Sequence, residues 1–174
     1  MKLIAQIVGI FAVALFLLSY QQKKRSHIII TNVISRLLYI TQYLLLGAFS
    51  GAALDILGAG SSVIAERKNC GFFKRHFVLT VVSVNAIIVI TGVTIALINK
   101  SWLDLFSLAG VLLHTSAFWI SDEKIIRRVS LLGSPFWFIY NFASCAYGSA
   151  IGDVLTMCSI VIAMIRYRKV EANK

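Results

Sequence analysis

The chain has 174 residues, of which 59% are hydrophobic and only 14% charged, with a mean hydropathy of +0.84 and one proline. Soluble domains carry about a quarter of charged residues, so this composition excludes a water-soluble globular domain and makes the lipid bilayer the partner of most of the surface. The net charge of +10 would suit nucleic acid if it formed one patch, but the basic residues stand in short clusters between long apolar runs, which excludes nucleic acid and is how membrane proteins place Lys and Arg.

Seven apolar segments follow one another, at 3–20, 28–46, 51–65, 77–98, 102–120, 129–146 and 149–165. The first follows Lys2, and Ala12-Val13-Ala14 has the look of a signal-peptidase site. Cleavage there would leave too short an apolar region, and the heavy charge of Lys23, Lys24 and Arg25 comes after the run, so it reads as an uncleaved first helix. Residues 28–65 form a nearly unbroken apolar run of 38. As one straight helix it would be about 57 Å long against a hydrocarbon core of about 30 Å, so the chain must turn, and the small residues Gly47 to Gly51 provide the place. The run 129–165 needs a turn for the same reason, at Ala146-Tyr147-Gly148-Ser149.

Seven spans sort the charges. Lys23, Lys24, Arg25, Arg67, Lys68, Lys74, Arg75, Lys124, Arg127, Arg128 and the tail Arg166, Arg168, Lys169 and Lys174 make 14 of the 17 basic residues, and all fall on one side. The positive-inside rule then gives the N-terminus outside and the C-terminus in the cytoplasm.

The third and seventh segments match without gaps. Residues 55–65 and 153–163 share six of 11 positions, including Asp55 with Asp153 and Ser61 with Ser159. With one gap the match extends back, Ser35 over Ser134 and Gln42 over Asn141. The expected fold is therefore an all-α membrane protein of seven transmembrane helices, built as two parallel three-helix repeats joined by a linker helix (3+1+3): residues 1–68, a cytoplasmic loop with the linker over 69–100, and 101–174 with its basic tail. Weak internal symmetry of this kind points toward transporters, although duplication also builds scaffolds.

Polar groups in hydrocarbon are few, and each has a reason to be there. Asp55 and Asp153 fall in the first turns of the third and seventh segments, where the helix dipole and the wet headgroup zone give a purely structural account. The alternative is that they face each other across a cavity and hold a proton or cation. Gln42 and Asn141 lie at similar depth; each alone reads as an interhelical hydrogen bond, and all four together could line an outward-facing vestibule. Arg36 lies about nine residues into the second segment, and the lean of helical side chains toward the N-terminus takes it inward, away from Asp55, which predicts no direct ion pair. Its alternative role is a contact to an anionic substrate. His114, at mid-depth in the fifth segment, reads as a packing residue or a proton relay. Ser101 and Asp104 read as a capping box, and Trp102 as an interface anchor. Cys70, Cys145 and Cys158 lack the spacing of a metal or redox motif and read as packing residues. No phosphate loop, HExxH, nucleophile elbow or Cys–His set is present, so the chain is read as no enzyme and as needing no cofactor or metal.

The basic loop Gln21-Gln-Lys-Lys-Arg-Ser-His27, the stretch Trp137-Phe-Ile-Tyr-Asn-Phe142 with the small-residue turn after it, and the exit Ile165-Arg-Tyr-Arg-Lys169 resemble the YgjV-like family of bacterial inner-membrane proteins. That resemblance covers nearly the whole chain and implies a multi-pass protein of the inner membrane. The 3+1+3 plan is also similar to the SWEET and PQ-loop transporters and to the PnuC vitamin transporters, which implies that polar residues of the third helix in each triplet, here Asp55 and Asp153, face a substrate. The first and fifth segments lack the proline of SWEET-like repeats, and the PQ dipeptide is absent, which argues against a sugar and the usual hinge. The function read from the chain is a small-solute transporter with a pathway between two helix triplets, taking a small molecule, proton or cation. The rival is a non-transporting scaffold or regulatory partner. Substrate and oligomeric state are left open.

Overall fold

A computed structural model describes residues 2–144 and 146–172. Cys145 and Lys174, and the side chains of Lys2, Arg168 and Lys169, lie outside the described residues. Eight helices occur among those described: α1 Lys2–Gln21, α2 Arg25–Leu46, α3 Phe49–Glu66, α4 Gly71–Arg75, α5 Phe77–Asn99, α6 Asp104–Trp119, α7 Glu123–Ala143 and α8 Tyr147–Ala172.

Local chemistry sets the boundaries. α2 ends at Gly47, whose φ of 76° is the left-handed conformation that glycine adopts without a Cβ penalty, and Ala48 N–H donates back to Tyr43 O at 2.9 Å. α3 follows at once and starts two residues before the apolar segment read from the sequence. α7 starts six residues earlier than the sequence suggests, because Asp122 caps it by accepting from the backbone of Lys124 and Ile125 at 2.7 and 3.4 Å. Lys124, Arg127 and Arg128 therefore stand on the first two turns of a helix rather than in a loop, and Pro135 lies inside that helix. Such a proline is tolerated where neighbouring helices surround the freed backbone group. The Ser101–Asp104 capping box does not form: no side chain caps α6, and the Asp104 carboxylate instead accepts from Asn99 Nδ2 at 2.8 Å.

Among the described residues four helices are long and apolar enough to cross a membrane, at Leu3–Gln21, Arg25–Leu46, Phe77–Asn99 and Tyr147–Tyr167. The other long helices are less plainly apolar: α3 has 18 residues, α6 has 16, and α7 carries Glu123, Lys124, Arg127 and Arg128 within its first six. The interior mixes polar with apolar side chains, and the surface is largely apolar. Asn32, Ser35, Arg36, Gln42, Asp55, His114, Asn141 and Asp153 are buried, while Leu3, Ile10, Ile90, Leu97 and Ile98 stand more than half exposed. That exposed apolar girth needs hydrocarbon around it.

Helix contacts form a closed ring in the order α1, α2, α3, α6, α7, α8 and back to α1. α5 packs outside it against α3 and α6, through the stripe of Ile88, Gly92 and Ala96, one residue per turn. The seam between α1 and α8 closes the ring at Gly152, where an added Cβ would fall onto Val13 Cγ2. Replacing Gly152 by valine is expected to force the seam apart at about 1–3 kcal/mol, seen as earlier loss of the monodisperse species on heating in detergent. Valine at Gly60, which has open space around it, should leave that transition unchanged.

Candidate functional site

The ring encloses a polar centre. Phe16 of α1, Arg36, Tyr39 and Tyr43 of α2, Asp55 of α3, Trp137 and Asn141 of α7 and Asp153 of α8 line a cavity of about 20 Å³, room for one water. Arg36 Nη1 donates to Asp55 Oδ1 at 2.5 Å and Arg36 Nε to Asn32 Oδ1 at 3.0 Å. The direct ion pair excluded from sequence is thus present. Pairing α2 and α3 about the turn at 47–48 sets Arg36 level with Ala59, four residues or about 6 Å from Asp55 along the helix, which the long arginine stem spans. Gly58 makes room for it, since a Cβ there would lie 2.5 Å from Arg36 Nη1. Arg36 is only 2% exposed, so the inward lean ends at Asn32 within the bundle and does not reach the surface.

Asp153 has different company. Its Oδ2 accepts from Asn141 Nδ2 at 2.8 Å, and Asn141 Oδ1 accepts from Tyr43 Oη at 2.8 Å. Among the described residues no cation forms an ion pair with Asp153. Both acids are the seventh residue of their helices, α3 and α8, and lie in the second turn, buried, rather than in the first turn at a wet boundary.

The remaining sequence candidates fall elsewhere. Gln42 Oε1 accepts from Ser149 Oγ at 3.0 Å, away from the cavity lining, and its Nε2 has no partner among the described residues. His114 pairs through Nδ1 with Tyr20 Oη at 3.1 Å, stacks on Phe16 at 5.7 Å, and leaves Nε2 buried without a partner among the described residues.

At the end of the bundle formed by the turns after α2, α5 and α7 lies a second, wider cavity of about 370 Å³, lined among others by Ser50, Asn99, Asp104 and Tyr140. Tyr140 separates it from the polar centre. Its hydroxyl bonds Ser50 Oγ at 2.8 Å and accepts from Gly51 N at 3.0 Å, while its ring meets Tyr43 and Trp137 edge-on. Sequence reasoning missed this tyrosine; its signal was the match of a polar aromatic in α7 to the small pair Ser50-Gly51.

The opposite end gathers the basic residues. Arg25 donates to the carbonyls of Ala65 at 2.7 Å, Phe118 at 2.6 Å and Ile120 at 3.0 Å and pairs with Glu66, which also accepts from Ser26 Oγ. Lys68 Nζ donates to Trp119 O at 2.6 Å and Ser121 Oγ at 2.7 Å; burial, and then the Arg25 guanidinium, hold its ammonium pKa below the ordinary value. Arg127 Nη2 donates to Gln22 O at 2.7 Å and Nε to Tyr20 O at 3.2 Å. These cations cover the carbonyl ends of α1, α3 and α6, which have no intrahelical donors. The same clusters read from sequence as topology signals alone.

With an apolar girth around a buried polar centre, the chain is built for the bilayer. No curated protein and no solved structure matches it. A family model described as bacterial inner membrane protein, Imp-YgjV, matches residues 3–171. The chain belongs to that family and is a multi-pass protein of the bacterial inner membrane.

Proposed function

We propose that this inner-membrane protein is a small-solute transporter whose pathway runs between two helix triplets, α1–α3 and α6–α8, with α5 as the linker, seven spans in all, the N-terminus outside and the basic end in the cytoplasm. The observation that carries the reading is the buried centre where Asp55, held by Arg36, and Asp153, held by Asn141, line one water-sized cavity. Ionisable side chains at membrane depth are expensive and mark solute or ion paths. The closed helix ring supports the triplet arrangement, since its two seams, α1 with α8 and α3 with α6, join the end helices of the triplets. Asp153 is the group that can take up a proton or a monovalent cation without breaking an ion pair, and the Arg36–Asp55 pair is the group that an anionic or zwitterionic solute would engage. Tyr140 acts as the outer gate between the wide cavity and the centre.

The test is water access. A variant lacking the native cysteines receives Asp153→Cys, and intact cells are treated with a membrane-impermeant maleimide, with Lys100→Cys as the exposed control. Labelling at 153 is expected to be slow, and about tenfold or more faster when Tyr140→Ala removes the gate's hydrogen bonds, a barrier change of at least about 1.4 kcal/mol. If position 153 stays unlabelled in both backgrounds while Lys100→Cys reacts, the centre is dry packing and the scaffold reading replaces transport.

A further inference from the structure

A separate groove lies on the flank of the bundle, where the first turns of α7 meet the last turns of α8. Its volume is about 420 Å³, within the size range of small-molecule sites. Lys124, Arg127, Arg128 and Tyr167 form one part of it and Leu131, Val161, Met164 and Ile165 the rest. The basic part stands at the charged end of the bundle. The apolar part runs inward, and the seven helical steps of α7 from Lys124 to Leu131 make it about 10 Å deep.

The walls are fixed. Tyr167 Oη donates to Gln21 O at 2.7 Å, tying α8 to the end of α1, and the Arg127 guanidinium lies 4.4 Å from the centre of the Tyr167 ring. Arg127 spends its donors on the carbonyls of Tyr20, Gln22 and Glu123, which neutralise none of its charge. Among the described residues neither Arg127 nor Arg128 forms an ion pair with a carboxylate. A rigid groove with cations at one end and aliphatic walls at the other, at the boundary of the apolar girth, is complementary to a phosphate joined to an acyl chain. Basic pockets between transmembrane helices at such a boundary take anionic lipid headgroups.

We infer that the α7–α8 groove is a binding site for an anionic phospholipid, its phosphate on Lys124 and Arg128 and one acyl chain along Leu131, Val161 and Met164. The site is distinct from the polar centre and holds whether or not the protein transports.

The experiment titrates the full-length protein in detergent with a fluorescent phosphatidylglycerol, and with the matching phosphatidylcholine. Phosphatidylglycerol is expected to bind the more tightly. Lys124→Gln with Arg128→Gln should weaken it about thirtyfold, the effect of two basic charges at an anionic headgroup. Lys74→Gln with Arg75→Gln, which removes equal charge from α4 at the same end, should change it less than about twofold. Val161→Trp fills the apolar part without touching charge and should weaken binding about tenfold, equivalent to two displaced methylenes; it decides the matter if the charge variant loses its helical circular dichroism. Equal loss in the two charge variants, equal affinity for the two lipids, or full displacement by excess inorganic phosphate would each overturn the lipid site, the last in favour of a soluble anion.

Discussion

Replacing Arg36 by methionine is expected to lower stability by about 3–5 kcal/mol, because it leaves the Asp55 carboxylate buried without its partner. Asp55→Leu should cost a similar amount, now by stranding the guanidinium, whose other partner among the described residues is the neutral Asn32. The double variant Arg36→Met, Asp55→Leu should recover most of the loss, since the pair's mutual attraction does little more than offset the desolvation of both charges. Reversible unfolding in mixed detergent micelles, followed by the fluorescence of Trp137 in the same cavity, measures all three. Single variants within about 1 kcal/mol of the parent, the range of a solvated pair, would mean that water reaches the pair and that the centre is not sealed. Gly58→Ala is the steric version of the same test. Its Cβ would approach Arg36 Nη1 to 2.5 Å and Val111 Cγ2 to 2.8 Å, so the guanidinium must leave the carboxylate or α3 must leave α6.

The division of the two long apolar runs into separate helices and the tight turn at Gly47 are legible in the sequence, because both follow from local chemistry: apolar runs longer than a bilayer, and a glycine where the backbone must turn left-handed. The start of α7 is less so, because a cap at Asp122 pulls four charged residues onto the helix that composition alone assigns to a loop. The short α4 has no apolar stripe and no reader of periodicity would place it. The likeness of residues 55–65 to 153–163 points to the two acids together, but their partners are not repeated. In the same alignment of the two halves Arg36 falls opposite Pro135, and Gln42, opposite Asn141, bonds Ser149 instead of an acid. Which cation meets which carboxylate depends on a one-turn offset between α2 and α3 and on the space at Gly58, and neither is visible in a linear pattern.

That broken equivalence separates the two acids by experiment. Asp153 meets the amide of Asn141 and no cation among the described residues, so Asp153→Asn removes a buried charge while keeping shape and a hydrogen-bonding group. Its stability is expected to equal the parent's within about 1 kcal/mol or to rise, since an isolated charge out of water is the costly species. Asp55→Asn, equally conservative in shape, should instead cost about 3–5 kcal/mol, because it leaves Arg36 buried and unpaired. If the centre conducts protons or a cation, the order reverses in function. Proteoliposomes carrying an internal pH dye, and then a sodium dye, should show Asp153→Asn at least about tenfold slower than the parent, the usual scale for loss of one positioned proton-transfer group. An Asp153→Asn variant that is stable and conducts like the parent would remove Asp153 from the pathway and leave the Arg36–Asp55 pair as the sole candidate contact for a solute. A variant that is stable and silent would assign the coupling ion's site to Asp153, the acid of the centre that has no counter-charge among the described residues.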